Sequence, residues 1–149
     1  MTTPTILADS AVNAKVDRSG AVRSISGQAT IPNTTAANTY IGLIRFQAGF
    51  SLDMLAIKSS DMDAATDLLM DVGYVYDDNT TYTNDPNAFF DGLDIGQDAG
   101  SRVWPIADGL STGVNWTAEA DGYIVVQMTD NAAEADGTID FKALFSYDG

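Results

Sequence analysis

In "GTIDFKALFSY", Gly137 to Tyr147, the residues Ile139, Phe141, Ala143, Phe145 and Tyr147 alternate with positions that include Asp140 and Lys142. Only an extended strand places every second side chain on one side, so this segment predicts a strand with an apolar inner face and a charged outer one. The same period recurs in "GYIVVQMT", where Ile124, Val126 and Met128 are expected inward. A chain built on repeated period-two segments needs a second sheet to cover its apolar faces. The loop "DNAAEADG" joins these last two strands.

Earlier segments extend the pattern. "AVNAKVD" alternates weakly, "DRSG" is a turn, and "AVRSISGQATI" is a second weak strand. "TYIGLIRFQ" sets Tyr40, Ile44 and Phe46 on one face and Ile41, Leu43 and Arg45 on the other. "FSLDMLAIK" groups Phe50, Leu52, Met54 and Ala56. The short link at Ala48 and Gly49 between these two runs reads as a hairpin.

The stretch "SSDMDAATDLLMDVGYVYDD", Ser59 to Asp78, supports two readings. As a helix, Asp61 caps it, Met62, Ala65 and Leu69 share a face, and Gly73 ends it. As a strand, the even positions from Thr66 to Tyr76 point one way. The helix leaves "YVY" as a stub, and "GYVY" favours strand by composition, so a turn followed by a strand over Asp67–Tyr76 is preferred. Further on, "DPNAFFDGLDIGQDAG" is the one place for a short helix, with Asp85 as cap and Pro86 in its first turn. "SRVWPIADG" and "STGVNWTAE" read as short strands. The expected fold is all-β, an antiparallel β-sandwich or jelly roll with at most one short helix. Residues 1–10, interrupted by Pro4, form an extended N-terminal arm, and residues 11–149 form one domain.

The formal charge of −14, from 21 acids and seven cations with no histidine, opposes binding to nucleic acid or to an anionic membrane. Residues 1–52 carry Lys15, Arg18, Arg23 and Arg45 against Asp9 and Asp17, whereas residues 53–149 carry only Lys58, Arg102 and Lys142 against 19 acids. No secretion signal or membrane-length apolar run is visible, so the chain is expected to be soluble and made in a cytoplasm.

Without histidine or cysteine, Ser-His-Asp and Cys-His catalysis and zinc sites built on those ligands are impossible. No phosphate-binding glycine motif occurs. A carboxylate pair for glycoside chemistry would rest on Glu119 or Glu134, the only glutamates, or on aspartates. No enzyme and no cofactor are expected. "DMDAATD" fails as an EF-hand, because the sixth and twelfth positions counted from Asp61 are Thr66 and Val72. Asp61, Asp63, Asp77 and Asp78 are therefore expected to be turn acids without an obligatory metal. Trp104, Trp116, Tyr74, Tyr76, Tyr82 and Tyr123 offer rings for sugar stacking, but filling a core or a subunit contact is the commoner role of such rings. Asn33, Asn79 and Asn115 match the glycosylation triplet and are read as chance matches.

Residues 39–76, and the closing "ADGYIVVQMTDNAAEADGTIDFKALFSY", resemble the strand-and-turn pattern of capsid decoration, or cement, proteins of tailed phages. The resemblance covers about half the chain and carries no catalytic signature. It implies a sandwich or jelly-roll body and a homo-oligomer, often a trimer. It also implies a place on the virion surface, where the protein clamps neighbouring copies of the major capsid protein after synthesis in the host cytoplasm. Under that reading, the expected contacts are Pro4, Ile6 and Leu7 of the arm and Arg18 and Arg23 of the basic N-terminal segment. The alternative is a carbohydrate- or receptor-binding sandwich of a phage fibre, which would need a tryptophan exposed in a shallow groove.

Overall fold

The computed structural model describes residues 6–7 (backbone only), 21–33, 35–62, 68–104, 116–129 and 136–147. Among them there are ten strands and no helix: β1 (Ile6–Leu7), β2 (Arg23–Ile31), β3 (Tyr40–Phe46), β4 (Phe50–Ser59), β5 (Met70–Tyr76), β6 (Asp85–Leu93), β7 (Ser101–Trp104), β8 (Trp116–Thr117), β9 (Gly122–Met128) and β10 (Gly137–Tyr147). One sheet runs β1-β3-β9-β5-β6, and the other runs β2-β10-β4-β7 with β8 added to β4. All pairings are antiparallel except β1 on β3. The inner faces of the two sheets form one core that includes Ile41, Phe46, Phe50, Leu55, Ile124 and Phe141.

β10 follows its alternation. Ile139, Phe141, Ala143, Phe145 and Tyr147 are buried, and Lys142 is exposed. β5 is a strand over Met70–Tyr76, with Met70, Val72 and Tyr76 buried and Tyr74 half-buried, which settles the double reading for those residues. The Val12–Val16 alternation and residues 66–67 lie outside the described residues.

Four expectations are corrected. The helix expected after Asp85 is strand β6, antiparallel to β5. Pro86 is tolerated there because β6 is the edge of its sheet, and burying Phe89, Phe90 and Leu93 outweighs the local capping signal. β3 and β4 do not form a hairpin, since they belong to different sheets. Their link crosses one end of the sandwich. The Ala48 N–H donates to the Asp121 carboxylate (3.0 Å), and the Gly49 N–H donates to the Ala118 carbonyl (2.9 Å). Gly49 takes φ 89°, open to a residue without Cβ. Phe46 and Phe50 then stack on each other, with centroids 5.4 Å apart, inside the core rather than side by side in one sheet. The closing pair β9 and β10 is likewise divided between the two sheets.

The fourth correction concerns which side chains face inward. The β3–β9 register slips between Gly42 and Ile44, so Ile41 lies opposite Val126 and Ile44 opposite Ile124. Ile41 and Ile44 therefore share the core face, contrary to strict alternation. In β4 the slip falls at Asp53: Leu52 pairs with Phe145 and Met54 with Leu144. Beyond it Leu55 and Ile57 are buried, while Met54 and Ala56 move to the outer face and are half-buried. A bulge inserts one residue and inverts the phase of everything after it.

Candidate functional site

The described acids mostly serve the fold. Asp77 receives two hydrogen bonds from Arg45, at 2.8 and 2.6 Å. The same guanidinium lies 4.8 Å from the centre of the Tyr123 ring. The hydrogen bond to Asp77 raises the Arg45 pKa against the opposing effect of burial. Asp78 accepts from the Thr80 hydroxyl (2.7 Å) and from the Thr80 and Thr81 N–H groups (3.0 and 3.2 Å). These bonds favour the carboxylate and hold its pKa down to about 2. Asp61 is exposed in the loop after β4, and Asp63 lies outside the described residues. No group of three metal-ligating side chains occurs among the described residues.

The aromatic residues divide into three settings. Tyr123 sits under Arg45. Trp104 packs on Phe89 at 4.7 Å. Trp116, Tyr74, Tyr76 and Tyr82 form a row, with successive centroids 4.4, 5.2 and 5.5 Å apart. This row lines a groove of about 470 Å³ together with Thr81, Thr83, Thr117 and Glu119. The Tyr76 hydroxyl accepts from the Glu119 N–H at 3.3 Å. Burial raises the Tyr74 pKa, with Asp85 adding to the rise, and burial also raises that of Tyr76. The rim is tied down by the Asp78 turn and by the Asn84 side chain, which accepts from the Tyr76 N–H at 2.8 Å.

A second surface lies on the outer face of the β10–β4–β7 sheet. Ala56, Lys58, Val103, Asp140 and Lys142 line a shallow depression of about 300 Å³. Lys142 pairs with Ala56, and Asp140 pairs with Lys58, so the two lysines are diagonal neighbours across β4 and β10. Arg102 borders the depression, but it lies opposite the inward Ile57, and its guanidinium turns to Asp94 at 3.1 Å. Only the pairing of β4 with β10 brings the two lysines together, and no local pattern in the sequence marks it.

Of the contact residues expected from the sequence, Ile6 and Leu7 have backbones on the chain's own sheet, in register with Ile41 and Gly42. Arg23 is exposed at the start of β2, opposite Phe145. Pro4 and Arg18 lie outside the described residues. Among the described residues, Arg23 lines neither the groove nor the depression.

The architecture is a two-sheet β-sandwich of a kind found in phage capsids. The chain is similar to one in "Capsid of Ralstonia phage GP4", with TM-score 0.67 and 19% identity, covering 92% of this chain and 90% of that one. It is also similar to one in "Cyanophage Pam1 capsid asymmetric unit", with TM-score 0.56 and 17% identity, covering 95% of each. No protein-family description matches the chain, and no curated protein matches it.

Proposed function

We propose that this chain is a structural virion protein that decorates a phage head, binding the major capsid protein and stabilising the shell. The observation that carries the reading is the reciprocal, nearly end-to-end likeness in fold to chains from two phage capsids. The strand-and-turn resemblance of residues 39–76 and 120–147 to cement proteins supports the finer role. The protein acts by binding and not by catalysis, is carried on the outside of the virion, and assembles as a homo-oligomer, with a trimer the expected state. Mass spectrometry of purified particles, followed by density for the chain on the head, tests this. The expected result is stoichiometric presence on the shell. Presence only at the tail, or absence from particles, would sink the proposal.

A second reading has one observation in its favour, the groove along Trp116, Tyr74, Tyr76 and Tyr82. Aromatic rings beside threonine hydroxyls are the equipment of a site for neutral sugars, and the volume falls in the ordinary range for small ligands, about 300–1,000 Å³. A fibre-type receptor module would place the chain at the tail, so the same particle analysis separates the two readings.

A further inference from the structure

The outer face of a free sandwich sheet is ordinarily polar. Here Met54, Ala56 and Leu144 are half-buried on that face, and Val103 beside Ala56 is 48% exposed. Two of the chain's three lysines, Lys58 and Lys142, stand among these apolar groups. Both ammonium groups lack an ion-pair partner among the described residues, although the chain carries 21 acids. Asp140 lies directly across from Lys58, yet its carboxylate accepts instead from the Gln28 side chain at 2.6 Å, on the opposite neighbouring strand. The face thus sets two lysines against the one carboxylate of Asp140 on a partly apolar floor, a net positive spot in a chain of net charge −14.

We propose that this face, centred on Lys58, Lys142 and Val103, docks an extended acidic segment of another protein, its carboxylates on alternate residues. The spacing carries the choice. Diagonal neighbours on adjacent strands lie about 7–8 Å apart. Alternate side chains of an extended segment recur every ~6.5–7 Å, so two successive down-facing carboxylates meet the two ammonium groups, and the apolar Ala56 and Val103 flank the segment on one side. A long polyanion such as nucleic acid does not fit, because beyond the patch it meets the chain's net negative charge. A short segment interacts only within about one Debye length, ~8–10 Å at ordinary salt. The segment's place on a capsid subunit rests on the decoration reading, while the chemistry of the face does not.

The probe is a fluorescein-labelled peptide, Thr-Asp-Val-Asp-Val-Asp-Thr, compared with the same peptide carrying Asn for Asp. Anisotropy with the full chain is read at about 0.1 M salt, where the Debye length is about 10 Å. The acidic peptide is expected to bind and the amide peptide is not. Lys58→Gln/Lys142→Gln should weaken binding about three- to thirtyfold, the range two exposed charge pairs support. Asn79→Asp/Asn87→Asp, at exposed positions of β6 and the turn before it on the other sheet, changes net charge equally and should alter binding by less than about twofold. Equal binding of both peptides, no binding of either, or equal losses in the two variants would overturn the proposal. Sedimentation of the full chain supplies a further check: self-association abolished by Lys58→Gln/Lys142→Gln would make the occupant a second copy and overturn it. Redecoration of shells stripped of the protein separates this inference from the function. Shell binding indifferent to the lysine pair overturns the docking face alone, and peptide binding without shell binding overturns the decoration reading alone.

Discussion

Replacing Gly73 by alanine sets two physical effects of opposite sign against each other. Gly73 lies in the middle of β5 and is buried. In a strand interior, alanine ordinarily gains about 0.5–1 kcal/mol over glycine, because the unfolded chain loses less freedom on folding. At this position the β5–β6 ladder is irregular: Val72 pairs with Phe90, but Tyr74 pairs with Asp85, and the chain between folds over Gly73. A Cβ there would run into the Asp85 carbonyl oxygen and the Pro86 carbonyl carbon, with the Pro86 oxygen 2.7 Å away. These are backbone atoms, so no side-chain rotation relieves the overlap. Overpacking costs about 1–3 kcal/mol, and a rigid obstacle puts this case in the upper part of that range. The net expectation is a loss of roughly 1–2 kcal/mol. For a chain of this size that lowers Tm by about 2–8 °C. Urea denaturation followed by tryptophan fluorescence gives the free energy, and differential scanning calorimetry gives Tm. Near-UV circular dichroism should also change, because shifting β6 disturbs Tyr74 and its stacking on Trp116. An alanine variant as stable as the parent, or more stable, would refute the close approach of the β6 backbone.

Phe50→Ala removes a fully buried ring that contacts Phe46, Trp116, Phe145 and Tyr147 where the chain enters the second sheet. The expected loss is about 3–5 kcal/mol by urea titration, and a loss below about 1 kcal/mol would mean the junction repacks freely. At high pH the Tyr74 and Tyr76 hydroxyls, whose pKa values burial raises, should contribute a distinct loss. Their stabilising effect is fully present below the unfolded tyrosine pKa, about 10, and disappears as pH rises through the folded values. Tm measured from about pH 8 to about pH 11.5 should therefore fall less steeply in Tyr74→Phe/Tyr76→Phe than in the parent, and parallel curves would exclude these groups.

The sequence by itself determined that β9 and β10 are strands and which face of β10 is buried, because period-two alternation is a local property that only extended backbone can satisfy, whereas for β5 it favoured the strand over a helix without deciding. It also excluded catalysis that requires histidine or cysteine, a matter of composition alone. It did not determine which strands pair. A short glycine link serves equally for a hairpin and for a crossing between sheets, and the choice at Gln47–Phe50 rests on distant groups, among them the Asp121 carboxylate and the Tyr147 hydroxyl that accepts from the Gln47 N–H. The bulges at Leu43 and Asp53 leave no local mark, yet each inverts the phase of the rest of its strand, and the second decides that Met54 faces out and Leu55 in. The same limit hid both candidate surfaces. Lys58 and Lys142 become neighbours only when β4 pairs with β10, and Trp116 reaches Tyr74 only when the two sheets close on each other. Charge and periodicity are carried by each residue, whereas a docking face depends on long-range pairing, whose energy comes from burying both sheets together.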